Sequence, residues 1–342
     1  MTSEKSNDRD NPTCLVDAYG RKIDYLRLSV TDRCNLRCIY CMPAQGVKKL
    51  FHSQILSYDE LLRFVRIAHC LGIKKVRITG GEPLVRKGIF SFIRGLSENK
   101  GLETVLTTNA ILLDGHFDLL AEAGIKRLNI SLDSLRQDRY EKITRFPFLH
   151  TVLKNIDTAL AKSFSPIKIN MVVIKGINDD EVVDFVKFAL KKEIDIRFIE
   201  YMPVTRDEKF VHISSLEIRQ HIENELGALI KIDSNNMNTV SENFKLESAS
   251  GNDFGKIGFI SPRNDSFCSR CNRLRLTANG FLKPCLLSEN VINIGELLRI
   301  NATDEKISET IIEAVGSKPP NNMLNDCNSV TSLDGKMSFI GG

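Results

Sequence analysis

The chain lacks three things that would have fixed its class at once. No apolar run approaches the ~20 residues that a membrane-spanning helix needs. The first ten residues are polar and charged with both signs. They have no apolar stretch of the secretory kind, and they are too acidic for a typical organelle transit peptide. Charge of one sign is also scarce: the formal net charge is +4 over 342 residues. That is too little to argue for duplex nucleic acid, although a local basic cluster around a small anion stays open. These absences point to a cytoplasmic protein with no membrane or nucleic-acid partner. Nine cysteines are present. Without a secretion signal they imply a reducing compartment, where spaced cysteines are metal ligands or catalytic groups and not disulfides.

The length suits two average domains or one α/β barrel. Six short β-branched or apolar runs, at 25–30, 75–79, 103–107, 127–132, 167–174 and 194–199, alternate with amphipathic stretches. The clearest stretch starts at Ser57, with Glu60 completing a capping box. It presents Leu61, Phe64, Val65, Ala68 and Leu71 on one face and stops at Gly72. Asp114 is placed to cap a helix through Ala123, and Asp179 or Asp180 one through Leu190. Such alternation predicts an α/β fold with a parallel sheet, built as a partial six-unit barrel; eight units would close it. The expected organisation is a tail over 1–14, a barrel core over 15–204 and a C-terminal region over 205–342. Chemically interesting residues follow the strands: Gly80-Gly81-Glu82, Thr108-Asn109, Asp133, Lys175-Gly176 and Glu200. Parallel α/β folds build their sites at that carboxyl edge.

Cys34, Cys38 and Cys41 form a C-x3-C-x2-C loop after the first strand. Three thiolates this close can hold three corners of a [4Fe–4S] cube and leave one iron open to a small molecule. A closed zinc site needs a fourth ligand, and none lies nearby. Cys268, Cys271 and Cys285 form a second trio, C-x2-C-x13-C. Its spacing fits zinc (with a distant fourth ligand such as Cys327) as well as iron–sulfur. Arg273 and Arg275 follow it and alternate with leucines, so on a strand both face one side. Two guanidiniums there suit phosphate or a carbonyl-bearing base. Gly80 and Gly81 permit a close backbone approach, and Glu82 can receive an ammonium group. Cys14, Cys70 and Cys327 stand alone, Cys70 on an apolar helix face. They read as structural or incidental.

The cysteine loop resembles the signature of the radical S-adenosylmethionine (SAM) enzymes. The resemblance implies that the open iron of the first cube takes the amino and carboxylate groups of SAM. Reductive cleavage then yields methionine and a radical that abstracts hydrogen. Tyr40 matches the position beside the adenine, and Gly81, Ser131 and Met202 match other SAM contacts.

The pieces taken together resemble one subfamily, the GTP 3′,8-cyclases, lyases that open molybdenum cofactor (molybdopterin) biosynthesis. This likeness implies a C-terminal extension with a second [4Fe–4S] cluster on Cys268, Cys271 and Cys285. It also implies a GTP site lined by Arg27, Arg77, Thr107, Lys168, Arg273, Leu274 through its backbone, and Arg275. Arginines in the middle of barrel strands need an anion, which agrees with that assignment. Hydrogen removal at C3′ of GTP and bond formation to C8 would give 3′,8-cyclo-7,8-dihydro-GTP. The terminal Gly341-Gly342 would reach into the active site; a frayed end is the plainer reading. An external electron donor is implied, and cyclic pyranopterin monophosphate synthase would take the product; the assembly would be a monomer or homodimer. Ala110 departs from the usual pattern, which has Gly there, so a left-handed turn would be strained. The segment 316–336 is polar and matches no pattern. Two other readings are a peptide-modifying radical SAM enzyme with an auxiliary cluster and a zinc-binding interaction protein.

Overall fold

The computed structural model describes residues 14–202, 210–232, 240–249, 255–262, 265–286 and 290–320. Six parallel strands appear where the sequence pattern puts them: β1 (Tyr25–Ser29), β2 (Lys75–Thr79), β3 (Glu103–Thr108), β4 (Leu128–Ser131), β5 (Ile167–Val173) and β6 (Asp195–Glu200). Leu26 and Leu28 of β1 are fully buried beneath the helices, while Tyr25, Arg27 and Ser29 turn to the concave side. The helical layer is α1 (Tyr58–Cys70), α2 (Ile89–Ser97), α3 (Phe117–Glu122), α4 (Gln137–Thr144), α5 (Leu149–Ala161) and α6 (Val182–Lys192).

The C-terminal region adds α7 (Ser215–Leu226), β7 (Leu229–Ile232), β8 (Glu242–Leu246), β9 (Ile257–Ile260), α8 (Asp265–Ser269), β10 (Arg273–Leu276), β11 (Phe281–Lys283), β12 (Ile292–Asn293), α9 (Ile294–Arg299) and α10 (Asp304–Gly316). It extends the same sheet. The strand order is β12-β11-β10-β1-β2-β3-β4-β5-β6-β9-β8-β7. Thus β10 lies parallel to β1, and β9 parallel to β6. Eight parallel strands result, but among the described residues no pairing joins β9 to β10. Antiparallel strands cover both edges instead, β11 on β10 and β8 on β9, so neither parallel edge is left bare. The fold is therefore an α/β partial barrel, wider than the six units expected.

Local signals held in α1. Ser57 Oγ accepts from the Glu60 amide at 3.2 Å, and the Glu60 carboxylate accepts from the Ser57 amide at 2.6 Å. Gly72 follows in the left-handed region at φ 107°. Three helix readings shift. Asp114 does not cap α3, because Gly115 turns the chain at φ 74° and the helix starts after His116. Asp179 caps Gly176 and opens a 3₁₀ turn, and α6 begins only at Val182. Cys70 is exposed at the end of α1 and does not pack on its apolar face.

Candidate functional site

A cavity of about 430 Å³ opens at the carboxyl edge of the sheet, and both cysteine trios line it. The first trio lies in the loop after β1. The loop is held from both sides. The Arg37 and Ile39 amides donate to the Thr144 and Ile143 carbonyls of α4 (3.1 and 2.9 Å). Arg37 Nη1 donates to the Cys34 carbonyl at 2.7 Å, and Arg145 Nη1 to those of Arg37 and Met42. Burial pushes the Cys34 thiol up to about 11; Cys38 rises further, through burial, then Asp133, then the other two thiols. All three cysteines of this loop line the cavity, and three thiolates are the donor set of a cube with one open corner.

Gly80 and Gly81 pack against this loop. A Cβ on Gly81 would sit 2.2 Å from the Arg33 carbonyl oxygen, and one on Gly80 2.5 Å from that of Thr31. The Gly81 and Glu82 amides donate to the Thr31 and Arg33 carbonyls, each at 2.8 Å. The glycines thus serve approach of backbone to backbone, and both line the cavity. Glu82 lines it too. Its buried carboxylate accepts from Thr108 Oγ1 (2.9 Å), the Asn109 amide (2.7 Å) and the Leu84 amide (3.1 Å), so it braces the turns after β2 and β3. Burial pushes it up to about 7 against those three hydrogen bonds. Ala110, next in that turn, does adopt the left-handed conformation at φ 64° and is fully buried.

Tyr40 lines the cavity, and its Oη donates to Asp133 Oδ2 at 2.6 Å. The other Asp133 oxygen accepts from the Val172 amide at 2.8 Å. Burial lifts the Asp133 carboxyl to about 6. Gly81, Ser131 and Met202 line the same cavity.

Cations form the opposite wall. Arg275, Arg27 and Arg77 are register neighbours across β10, β1 and β2, and Arg273 pairs with Tyr25 one step away. All four line the cavity. Arg27, Arg273 and Arg275 are each at most 9% exposed. Burial lowers Arg27, and Arg275 and Arg77 lower it further. Burial, then Arg273, brings Arg275 down to about 10. A row of mutually repelling guanidiniums in a cavity is a site for a multiply charged anion. The buried Nε of Arg77, Nε of Arg273, Oγ1 of Thr107 and Oη of Tyr25 have no hydrogen-bond partner among the described residues.

One expected residue, Lys168, is not brought to this wall. The Leu274 side chain is 1% exposed and belongs to the core, on the face opposite Arg273 and Arg275, which leaves its expected role to the backbone between them. Lys168 sits lower, in a small recess shared with Lys75, Arg77 and Arg197, and its Nζ pairs with Asp195 at 2.5 Å. Burial, then Arg197, lowers it to about 8. Lys75 and Arg197 reach both the recess and the main cavity, and sequence reasoning missed them. Alternation was the available signal, since Lys75 stands two residues before Arg77.

The second trio lies beside Arg273. Burial, then Cys285 and Cys271, pushes Cys268 up to about 11, and all three line the cavity. Burial would raise Cys271 too, but Arg273 and Lys318 outweigh it and hold that thiol down at about 6. Among the described residues no three Cys, His, Asp or Glu side chains gather closely enough for a single metal ion. Cys327, Gly341 and Gly342 lie outside the described residues.

Residues 28–189 match the family model described as the radical SAM superfamily, and residues 194–324 match Molybdenum Cofactor Synthesis C. The chain is 48% identical over 309 residues to the GTP 3′,8-cyclase of Thermodesulfovibrio yellowstonii, covering 89% of this chain and 94% of that one. It is 44% identical over 333 residues to the one from Geobacter sulfurreducens, covering 96% and 99%. Among solved structures it resembles Streptococcus suis SuiB bound to S-adenosylmethionine, with TM-score 0.61 and 17% identity, over 86% of this chain and 69% of that one. It also resembles anSMEcpe with bound AdoMet, with TM-score 0.55 and 14% identity, over 83% and 80%. These two likenesses speak for the fold alone.

Proposed function

The chain belongs to the GTP 3′,8-cyclases of the radical SAM superfamily, and from that premise we propose that it cyclises GTP to 3′,8-cyclo-7,8-dihydro-GTP, the first step toward molybdopterin. The product is an isomer of GTP: one hydrogen leaves C3′, the C3′–C8 bond forms, and one electron and one proton complete the ring. When bound, a reduced [4Fe–4S] cube with SAM supplies the radical that takes the C3′ hydrogen.

In this reading Cys34, Cys38 and Cys41 hold the first cube, and Cys268, Cys271 and Cys285 hold a second one. Tyr40, fixed by Asp133, flanks the adenine of SAM, while Gly81, Ser131 and Met202 line its bed. Arg27, Arg77, Thr107, Arg273 and Arg275 bind GTP. Lys168 adds positive potential from the recess beneath, next to Lys75 and Arg197. The segment 15–204 carries the radical step and part of the GTP site, and 205–342, including Gly341-Gly342, completes substrate selection. An external one-electron donor, the downstream synthase and a cytoplasmic setting complete the proposal.

The observation that carries the reading is the arginine row Arg275–Arg27–Arg77, with Arg273, facing the same cavity as both cysteine trios. A triphosphate satisfies that charge; a peptide backbone does not. This also answers the peptide-modifying alternative, although one fold neighbour, SuiB, is bound to a precursor peptide. Metal and sulfide analysis of anaerobically purified protein tests the cluster assignment. About eight irons with equal sulfide fit two cubes, whereas stoichiometric zinc would sink it.

A further inference from the structure

Helix α10 ends at Gly316, and the chain beyond it returns to the second cysteine trio. Lys318 is 3% exposed. Its Nζ donates to the Arg273 carbonyl at 2.9 Å and to the Pro284 carbonyl at 2.6 Å. The first acceptor lies two residues after Cys271, and the second directly precedes Cys285. One ammonium group therefore ties together the two arms that carry the trio. Arg21 adds a second tie. Its guanidinium donates to the Cys268 carbonyl at 2.9 Å and to the Pro319 carbonyl at 2.5 Å, and Asp17 holds it in place.

Arg21 has its carboxylate partner. Lys318 has none among the described residues: its two bonds go to neutral carbonyls. A buried ammonium without a counter-ion is costly. The titratable groups around it are Cys271 and Cys285 on the favourable side and Arg21 and Arg273 on the unfavourable side. Two further cations at this spot make sense only if the thiols carry net negative charge in the working protein.

We propose that Lys318 is a positioning residue of the second cysteine trio. Its buried ammonium fixes the Cys271 and Cys285 arms and serves as the counter-charge of an anionic iron–sulfur cluster held there, raising that cluster's reduction potential. The inference rests on the two-cluster reading above. Reduction adds negative charge, so a fixed cation nearby favours the reduced form.

The test uses the full chain with Cys34, Cys38 and Cys41 replaced by Ser, so that iron content and electron paramagnetic resonance report the second trio alone. If this parent binds no cluster after anaerobic reconstitution, the second-cluster reading falls, independently of Lys318. If it binds one, Lys318→Met and Lys318→Arg are compared with it by redox titration, with melting curves as the folding control. At a fixed potential the ratio of reduced to oxidised cluster in Lys318→Met should be about tenfold below that of the parent, which for a one-electron couple is about 59 mV more negative. Lys318→Arg should stay near the parent. Loss of the cluster from Lys318→Met but not from Lys318→Arg also supports the proposal. A Lys318→Met protein titrating like the parent overturns it, as does loss of the cluster from both variants with melting unchanged. Should Lys318→Met fail to fold, Lys318→Gln, which keeps a donor without the charge, takes its place with the same expectations.

Discussion

Replacing Arg77 by Met should move stability and nucleotide affinity in opposite directions. Arg77 and Arg27 are register neighbours on β2 and β1, and Arg275 follows on β10. Adjacent strands lie ~4.8 Å apart, and two unit charges about 5 Å apart at an effective dielectric of 20 repel by about 3 kcal/mol. Arg77 is only half-buried and its head lies over the Tyr25 ring at 5.5 Å, so part of that repulsion is already relieved. Removing the charge should return about 1–2 kcal/mol to the ligand-free protein, a rise in Tm of roughly 2–8 °C. The same change removes a charged donor for the triphosphate, worth about 1.5–3 kcal/mol, or roughly 10- to 150-fold in Kd. Thermal melting of ligand-free protein and anaerobic calorimetric titration with GTP read the two effects. The gap in Tm should shrink in high salt, which screens the repulsion. A variant that melts lower than the parent and binds GTP within about threefold of it would show that the arginine row is structural and that the charge argument is wrong.

Three further outcomes follow from other parts of the site. Glu82 is held up at about 7 from its ordinary 4.5, so its contribution to stability is fully present below pH 4.5 and is lost as pH rises through 7. In cluster-free protein, Glu82→Gln should flatten the fall in Tm between those pH values; parallel curves for the two proteins would contradict the burial argument. Ala110→Gly removes left-handed strain at φ 64° and should stabilise by up to about 1 kcal/mol in chemical denaturation, whereas destabilisation would mean the buried methyl matters more. Arg275→Ala should lower GTP cyclisation by at least about a hundredfold while SAM cleavage uncoupled from GTP persists, since removing one partner of a buried ion pair costs about 3 kcal/mol; cyclisation within about threefold of the parent, or loss of uncoupled SAM cleavage along with cyclisation, would contradict the placing of Arg275 in the GTP site.

Much of the barrel could be read from the sequence because parallel strands buried on one face show β-branched runs of fixed length between capped helices. The ranges of β1 to β6 differ from expectation by at most one residue at either end. β9 escaped because four residues, Ile257–Ile260, follow a polar stretch and carry no alternation. β10 was legible as a strand, but its place beside β1 depends on long-range pairing that no local pattern encodes. The cysteine trios were found from spacing and Arg273 and Arg275 from alternation, whereas Arg27 and Arg77 were reached only through the family resemblance. Lys318 was reached by none of these. It sits in a polar segment, and only the tertiary fold buries it against Cys271 and Cys285. Glu82 shows the converse. Its motif was visible, but its partners Thr108 and Asn109 come from the next strand and the turn after it, so its bracing role could not be read locally.

The central claim is that the cavity joining the two cysteine trios converts GTP. Anaerobically reconstituted protein, incubated with SAM, dithionite and GTP deuterated at C3′, tests it most directly by chromatography and mass analysis. The account predicts a nucleotide chromatographically distinct from GTP that has lost the C3′ deuterium to the new C3′–C8 bond and gained a hydrogen on the purine ring, and deuterium in the 5′-deoxyadenosine formed. SAM cleavage without deuterium transfer and without a new nucleotide would contradict it.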